Sequence, residues 1–255
     1  MVESQQRSEP TAPRVEPSGS GTEIWSIIVA AGKGSRFGSM KQLQWLGDKR
    51  LIDWSIEAFS SLGPVVVVGP MGSDPASYFN VDTPIQTAVL SKVTRFVSGG
   101  DSRSASVRAG LGAVDKTASH ILIHDAARPL VRSDLVGRVV AALEAGADGA
   151  IPVVPIVDTL CTVDGLPVDR SRFVAVQTPQ GFTSDALRDA HAGGGIATDD
   201  ATLVSEAGGD VVHVAGEVDN LKITIPRDLE FARAMLALSA EQKDGDSRGG
   251  EAVNG

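Results

Sequence analysis

One cysteine, Cys161, occurs in 255 residues. An intrachain disulfide framework and a cysteine-built zinc cluster are therefore excluded, and a reducing, cytoplasmic setting is expected. Aromatic residues are scarce as well: seven Phe, three Trp and one Tyr leave little for the stacking platforms that hold single-stranded nucleic acid. Basic residues are outnumbered, 23 Lys and Arg against 32 Asp and Glu, and the net charge of −9 repels a phosphate backbone. Nucleic acid is not the expected partner. Nor is a membrane, because no apolar run approaches the roughly 18–20 residues of a spanning helix, and residues 1–21 lack the apolar centre of a signal peptide. No repeat of about 20–50 residues marks a solenoid or propeller. Net charge describes the whole surface, so a local basic pocket for a small anion remains open.

What the chain does have is a βα rhythm. Hydrophobic residues make up 42% and charged residues 22%, proportions ordinary for a globular domain with a full core. Residues 24–30 are a β-branched-rich run, a glycine-rich turn follows, and residues 51–62 place Ile52, Ile56 and Phe59 at helical spacing. Further buried strands are expected at 65–68, 93–97, 120–124 and 150–154, with helices at 102–114 and 133–145. Such alternation specifies an α/β fold, a mostly parallel twisted sheet with helices on both faces. The rhythm breaks at 158–173, where two short β-prone pieces flank a turn at Asp164-Gly165 and read as a projecting β-arm. Regular structure resumes with helices near 184–190 and 201–207, strands at 211–214 and 221–225, and a last helix from Pro226, well placed in a first turn. Residues 1–21 and 240–255, polar and without an apolar face, read as disordered tails around one domain at 22–239.

Ala30-Ala31-Gly32-Lys33-Gly34-Ser35-Arg36-Phe37-Gly38 follows the first strand directly, at the carboxyl ends where parallel sheets bind ligands. Gly32 and Gly34 let backbone N–H groups close on an anion with no Cβ in the way, although a glycine turn can also simply connect two elements. The dinucleotide pattern fails because its third glycine falls on Phe37, and the Walker ending is absent. Lys33, Arg36 and Lys41 supply cationic charge suited to a triphosphate.

His124-Asp125-Ala126-Ala127-Arg128 puts an acid and an arginine at the carboxyl end of the fourth strand, on the same edge. Asp125 either contacts a nucleotide-bound Mg²⁺, which commonly takes one or two carboxylates plus phosphate oxygens, or forms a loop ion pair with Arg128. His124 is expected to pack or hydrogen-bond at the strand end, and His120, His191 and His213 show no ligand spacing. Gly99-Gly100-Asp101-Ser102-Arg103-Ser104-Ala105-Ser106 gathers amides and hydroxyls at a helix N-terminus. It suits recognition of a base or sugar, or plain N-capping by Asp101 or Ser102.

These pieces stand in order with Met40-Lys41-Gln42, Asp158-Thr159, Val168-Asp169-Arg170, Gln177-Thr178-Pro179-Gln180-Gly181-Phe182, Thr198-Asp199-Asp200-Ala201 and Asp219-Asn220-Leu221-Lys222. Over about residues 24–236 the chain resembles the 2-C-methyl-D-erythritol 4-phosphate cytidylyltransferase family. The resemblance implies a Rossmann-like nucleotidyltransferase fold, a homodimer clasped by β-arms and Mg²⁺ dependence. It also implies transfer of CMP from CTP onto a polyol phosphate, with release of pyrophosphate, in non-mevalonate isoprenoid precursor synthesis.

Carried onto this sequence, the resemblance implies that Ala30, Ala31, Gly32 and Gly34 line the CTP pocket, with Gly100, Asp101 and Ser106 at the cytosine and ribose. It gives Arg36 and Lys41 the charge developing on the α-phosphate, and Arg170 and Lys222 the acceptor phosphate. Asp125 would meet the metal, Ala126 and Arg128 the substrates, and Thr159, Thr178 and Thr198 would add hydroxyls around the acceptor. The family usually has Pro-Lys-Gln where Met40-Lys41-Gln42 stands, and only four residues separate Arg36 from Lys41, so a short lid over the triphosphate is implied. A ribitol 5-phosphate cytidylyltransferase has similar motifs, but Ala30-Ala31-Gly32 and Ala126-Ala127 lean towards the methylerythritol enzyme. A catalytically silent nucleotide-sensing domain would be expected to lose basic residues at 36, 41, 170 or 222, and all four are basic.

Overall fold

Ile24–Val29 forms β1, the strand around which the molecule is built. The computed structural model describes residues 22–32, 37–74, 79 and 83–249. After β1 a 3-10 turn, Lys41–Leu43, leads into a small hairpin of β2 (Trp45–Leu46) and β3 (Lys49–Arg50), and then α1 (Leu51–Ser60). Next come β4 (Val65–Gly69), α2 (Pro84–Leu90), β5 (Val93–Ser98), α3 (Arg103–Gly112), β6 (His120–Asp125), α4 (Ser133–Glu144) and β7 (Gly149–Pro155). The arm contains β8 (Leu160–Cys161) and β9 (Pro167–Val168), followed by a 3-10 turn at Arg170–Arg172. The chain ends with β10 (Val174–Val176), β11 (Gln180–Thr183), α5 (Ser184–Ala192), α6 (Asp200–Glu206), β12 (Val211–Ala215) and α7 (Pro226–Gly249).

The main sheet runs β5-β4-β1-β6-β11-β7-β12, and β10 pairs with the last residues of β7 beside β11. Among these strands β10 and β11 run against the rest, so the sheet is mostly parallel. The helices cover both faces because the strand residues alternate. Ile28, Val65, Val67 and Leu122 face α1 and α4, whereas Trp25, Ile27, Val66, Val68, Ile121 and Ile123 face α3, α5 and α6. Each such side chain contributes about 1.5–3 kcal/mol by leaving water. From β1 the chain proceeds outward to β4 and β5, then returns to β6 on the other side of β1. That reversal opens a crevice at the carboxyl ends of β1 and β6, where Val29 is in register with Asp125.

Several expectations need correction. Residues 221–225 form no strand; Ile223 donates its N–H to Ala127 O at 2.8 Å and packs with Leu46, Leu51, Leu229 and Ala232. Its β-branched pattern is satisfied by that satellite core instead of a ladder. Helix α7 continues past residue 240, where a disordered tail was expected, in keeping with the helix-favouring Ala240, Glu241, Gln242 and Lys243. The tail expected at 1–21 lies outside the described residues. Missing from the sequence reading are the β2–β3 hairpin, α2, β10 and β11. Among the described residues no helix is long and apolar enough to cross a membrane.

The helix–sheet contact can be tested with two glycines. A Cβ on Gly110, in α3, would lie 2.7 Å from Ile27 Cγ2 and 3.0 Å from Val68 Cγ2, whereas one on Gly137, exposed in α4, would meet nothing within 4 Å. Alanine gains roughly 1 kcal/mol over glycine in a helix, but overpacking costs roughly 1–3 kcal/mol. Gly110→Ala should therefore lower the unfolding free energy in urea by up to about 2 kcal/mol, and Gly137→Ala should raise it by about 0.5–1 kcal/mol. Stabilisation by both would show that α3 can shift off the sheet at no cost.

Candidate active site

The crevice between β1 and β6 is a cavity of about 390 Å³. Its walls come from five segments distant in sequence: the turn after β1, the 3-10 turn at Lys41, the start of α3, the turn after β6, and the segment carrying Lys222. Of the expected site residues, Ala30, Ala31, Gly32, Lys41, Gly100, Asp101, Ser106, Asp125, Ala126 and Lys222 line it. A Cβ on Gly32 would meet no protein atom within 4 Å, leaving backbone open to an approaching anion. Gly99 has the opposite reason for being glycine. A Cβ there would lie 2.7 Å from Gly69 O, 2.8 Å from Ala31 Cβ and 2.9 Å from Ser106 Oγ, so its absence lets β4, the first turn and α3 converge. Ser102 caps α3 by accepting from Ala105 N at 3.1 Å, and Gly100 N donates to Ser106 Oγ at 3.2 Å.

Asp125 is the electrostatic centre. Lys222 Nζ lies 2.7 Å from one carboxylate oxygen and Arg103 Nε 3.8 Å from the other. Burial alone would push the carboxyl pKa up, but Lys222, Arg103 and, less strongly, Arg128 hold it well below the usual range. A loop ion pair between Asp125 and Arg128, the alternative offered by the sequence, gives way to these two partners. Arg128 instead donates to Asn220 O at 2.7 Å and Val176 O at 3.4 Å from a buried position. Lys41 Nζ donates to Ile223 O at 2.8 Å, so both cleft lysines are tied to the 217–223 segment or to what it faces. That segment is strapped down by Gln177 Nε2 to Glu217 O at 2.7 Å and Asn220 Nδ2 to Thr178 O at 2.9 Å.

Thr178 is buried behind the cleft. Its hydroxyl oxygen accepts from Asp125 N at 3.1 Å and lies 3.2 Å from His124 Nδ1, while His124 Nε2 lies 3.1 Å from Arg128 O. Since a carbonyl can only accept, Nε2 carries the proton and Thr178 donates to Nδ1. Thr178 and Arg128, expected as substrate contacts, therefore brace Asp125 and the strap. Thr159 and Arg170 are exposed on the arm, with the Arg170 guanidinium donating to Val157 O, and Thr198 is exposed on the loop before α6. None of these three lines the cavity. Arg36 and Gly34 lie outside the described residues.

Three residues were not singled out in the sequence reading. Gln42, buried, donates through Nε2 to Ala30 O at 2.7 Å and Gly32 O at 3.1 Å, pinning the glycine turn from beneath. Arg103 lines the cavity and reaches Asp200, which is fully buried. All three fall within motifs noted in the sequence, the one signal that could have found them.

The model of the family described as 2-C-methyl-D-erythritol 4-phosphate cytidylyltransferase matches residues 24–238. The chain belongs to this cytidylyltransferase family. A cytidylyltransferase of that name from Nocardia farcinica is 40% identical over 84% of this chain and 94% of its own length. The crystal structure of the Thermus thermophilus cytidylyltransferase superposes with a TM-score of 0.70 at 36% identity, covering 84% of this chain and 98% of that one. A protein from Dinoroseobacter shibae named bifunctional enzyme IspD/IspF is 44% identical over 86% of this chain, which spans 55% of that relative. The Rossmann-like nucleotidyltransferase fold implied by the sequence is thus the family's fold.

The brace behind the cytidylyltransferase cleft has a measurable pH signature. Burial pushes the His124 pKa down from 6.5 to about 4, with Asp125 only partly opposing it. Between these values the unfolded chain binds a proton that the folded chain refuses, so this contribution is complete above pH 6.5 and is lost as pH falls towards 4. Asp125, whose pKa is lowered from 3.8, loses its contribution only below that window. Lowering the pH from 7 to 5 should remove about 2 kcal/mol of unfolding free energy. His124→Gln, which cannot titrate, should flatten that slope; an unchanged slope would assign the effect elsewhere.

Proposed function

We propose that the chain transfers CMP from CTP to 2-C-methyl-D-erythritol 4-phosphate, giving 4-diphosphocytidyl-2-C-methyl-D-erythritol and pyrophosphate. The observation that carries this reading is the cleft itself. An open glycine turn and Lys41 meet an ionised Asp125 paired with Lys222 at the switch point of the sheet, in a chain whose family is named for this reaction. An oxygen of the acceptor phosphate attacks the α-phosphorus of CTP in line, the bond from that phosphorus to the bridging oxygen breaks, and pyrophosphate leaves. The acceptor phosphate, with a second pKa of about 6, is already largely a dianion at pH 7, so no general base is required. Catalysis then rests on positioning and on stabilising charge. Lys41, with Arg36, is assigned to the α-phosphate, and Lys222, with Arg170, to the acceptor phosphate. Lys41 and Lys222 would exchange Ile223 O and Asp125 for substrate oxygens.

Mg²⁺ fits this donor set. Among the described residues no group of three or more His, Cys, Asp or Glu could hold a metal, but Asp125 is one ionised carboxylate facing the cleft, and Mg²⁺ bound to a nucleotide often needs no more than one. Asp125 would hold the ion, which would neutralise phosphate charge. We further propose a homodimer formed through the β-arm, in the cytoplasm. The arm and the strand after it expose Val163, Leu166, Phe173, Val174 and Val176, more apolar surface than a free arm would retain. Arg170 and Thr159 lie on the same arm and outside their own chain's cavity, which suits delivery to the partner's cleft. No observation favours ribitol 5-phosphate as acceptor.

Pyrophosphate release should be fast with CTP and the methylerythritol phosphate, and at least a hundredfold slower in kcat/KM with ATP, because a site that pairs with one base edge leaves polar groups unmatched by another. Lys41→Ala should lower kcat by about 10² without unfolding the protein. Equal use of ATP, or undiminished turnover by the variant, would contradict the reading.

The shared site has its own test. Lys41→Ala and Arg170→Ala proteins, each nearly inactive alone, should regain about a quarter of normal activity when unfolded and refolded together, because random pairing makes half the dimers mixed and each of these holds one intact site. No recovery despite confirmed subunit exchange would place Arg170 within its own chain's site, since every site would then keep one lesion.

A further inference from the structure

Arg103 is not needed to explain why α3 starts where it does, since Ser102 supplies the cap. Its side chain is about a quarter exposed and lines the cleft, yet its Nη1 lies 2.6 Å from Asp200 Oδ2, and Asp200 is fully buried. The other Asp200 oxygen lies 3.0 Å from His191 Nε2, and Asp200 N donates to Gln180 Oε1 at 3.3 Å. Around this pair the loop before α6 hangs on α3: Ser104 Oγ donates to Ala197 O at 3.1 Å and Arg108 Nη1 to Gly195 O at 2.8 Å. One guanidinium therefore faces two carboxylates, Asp200 behind it and Asp125 in front of it at 3.8 Å.

We propose that Arg103 is a positioning residue for Asp125, anchored from behind by Asp200 and, through Asp200, by His191. The planar guanidinium can address two carboxylates from two of its edges at once, which a single ammonium does less well. A simple counter-ion for Asp200 would have no reason to border the cleft. Asp125 Oδ2 is held by Lys222, whose side chain is 44% exposed and sits on a loop segment; Oδ1 faces Arg103, which is fixed to the interior. When a substrate phosphate competes for Lys222, Arg103 is the cation that keeps the carboxylate oriented. This inference rests on reading the cleft as the transfer site, but concerns residues to which that reading assigns no role.

The test compares Arg103→Met, Arg103→Lys and the double variant Arg103→Met/Asp200→Asn in pyrophosphate release from CTP and the methylerythritol phosphate, alongside thermal unfolding. Arg103→Met should unfold at lower temperature, because Asp200 loses a buried partner, and the double variant should recover most of that loss. The kcat of the double variant should nevertheless stay about a hundredfold down, as expected when a reacting group is misplaced by about 1 Å, with the KM for CTP little changed. Arg103→Lys keeps a counter-charge for Asp200 and so remains folded; its kcat should fall at least tenfold. Wild-type kcat in either the double or the Lys variant would make Arg103 a structural counter-ion only and overturn the proposal. A rise confined to the KM for CTP would overturn it too, by making Arg103 a nucleotide contact. Absence of turnover in the unaltered protein would instead remove the transfer reading itself.

Discussion

The structure depends on keeping one carboxylate, Asp125, ionised at the end of a central strand. Asp125 closes β6, in register with the last residue of β1, and is mostly withdrawn from water. An unpaired charge at such a position costs several kcal/mol. Its partners come from remote parts of the chain: Lys222 from the strap before α7, and Arg103 from the start of α3. The Lys222 contact is short but its side chain is 44% exposed, so solvent screening reduces what it contributes. Arg103, tied to the fully buried Asp200 at 2.6 Å, is the firmer of the two.

This constraint orders the rest of the cleft. The strap that carries Lys222 is held by Arg128, Gln177 and Asn220, and its Ile223 seals the satellite core against Leu46 and Leu229. Its Ile223 carbonyl also receives Lys41, so the cation assigned to the nucleotide and the cation assigned to the acceptor are aligned by one short segment. Thr178 and His124 hold the Asp125 backbone from beneath. Gln42 does the same for the glycine turn by taking the Ala30 and Gly32 carbonyls. The residues assigned to touch phosphate thus stand on a layer of buried, neutral hydrogen-bonding side chains, of which Gln42 also borders the cavity.

Much of this was legible in the sequence, for identifiable reasons. The strands at 24–29, 65–69 and 120–125 are largely buried on both faces and read as mostly apolar stretches; the glycine turn follows the first directly and Asp125 ends the last, which marks the carboxyl edge. Strand β11, Gln-Gly-Phe-Thr, is hidden between β6 and β7 with Phe182 as its one large apolar residue, and its polar composition reads as loop. Helix α2 carried a legible signal, Thr83 and Gln86 in a capping box with Pro84 in the first turn, that the apolar periodicity of seven residues was too short to support. Residues 221–225 misled because alternating apolar side chains fit a small core as well as a ladder. The Arg103–Asp200 and Asp125–Lys222 pairs span 97 residues each, and no local pattern encodes such pairings.

The central claim is that this cleft holds the reacting nucleotide. Crystals of the unaltered protein grown with CTP and Mg²⁺ test it most directly. The account predicts density for the triphosphate over Gly32 and beside Lys41, with the cytosine against the Gly100–Ser106 segment and Asp125 on the same side as the α-phosphate. Nucleotide bound at any other surface, with the cleft between β1 and β6 empty and the Asp125–Lys222 pair intact, would contradict it.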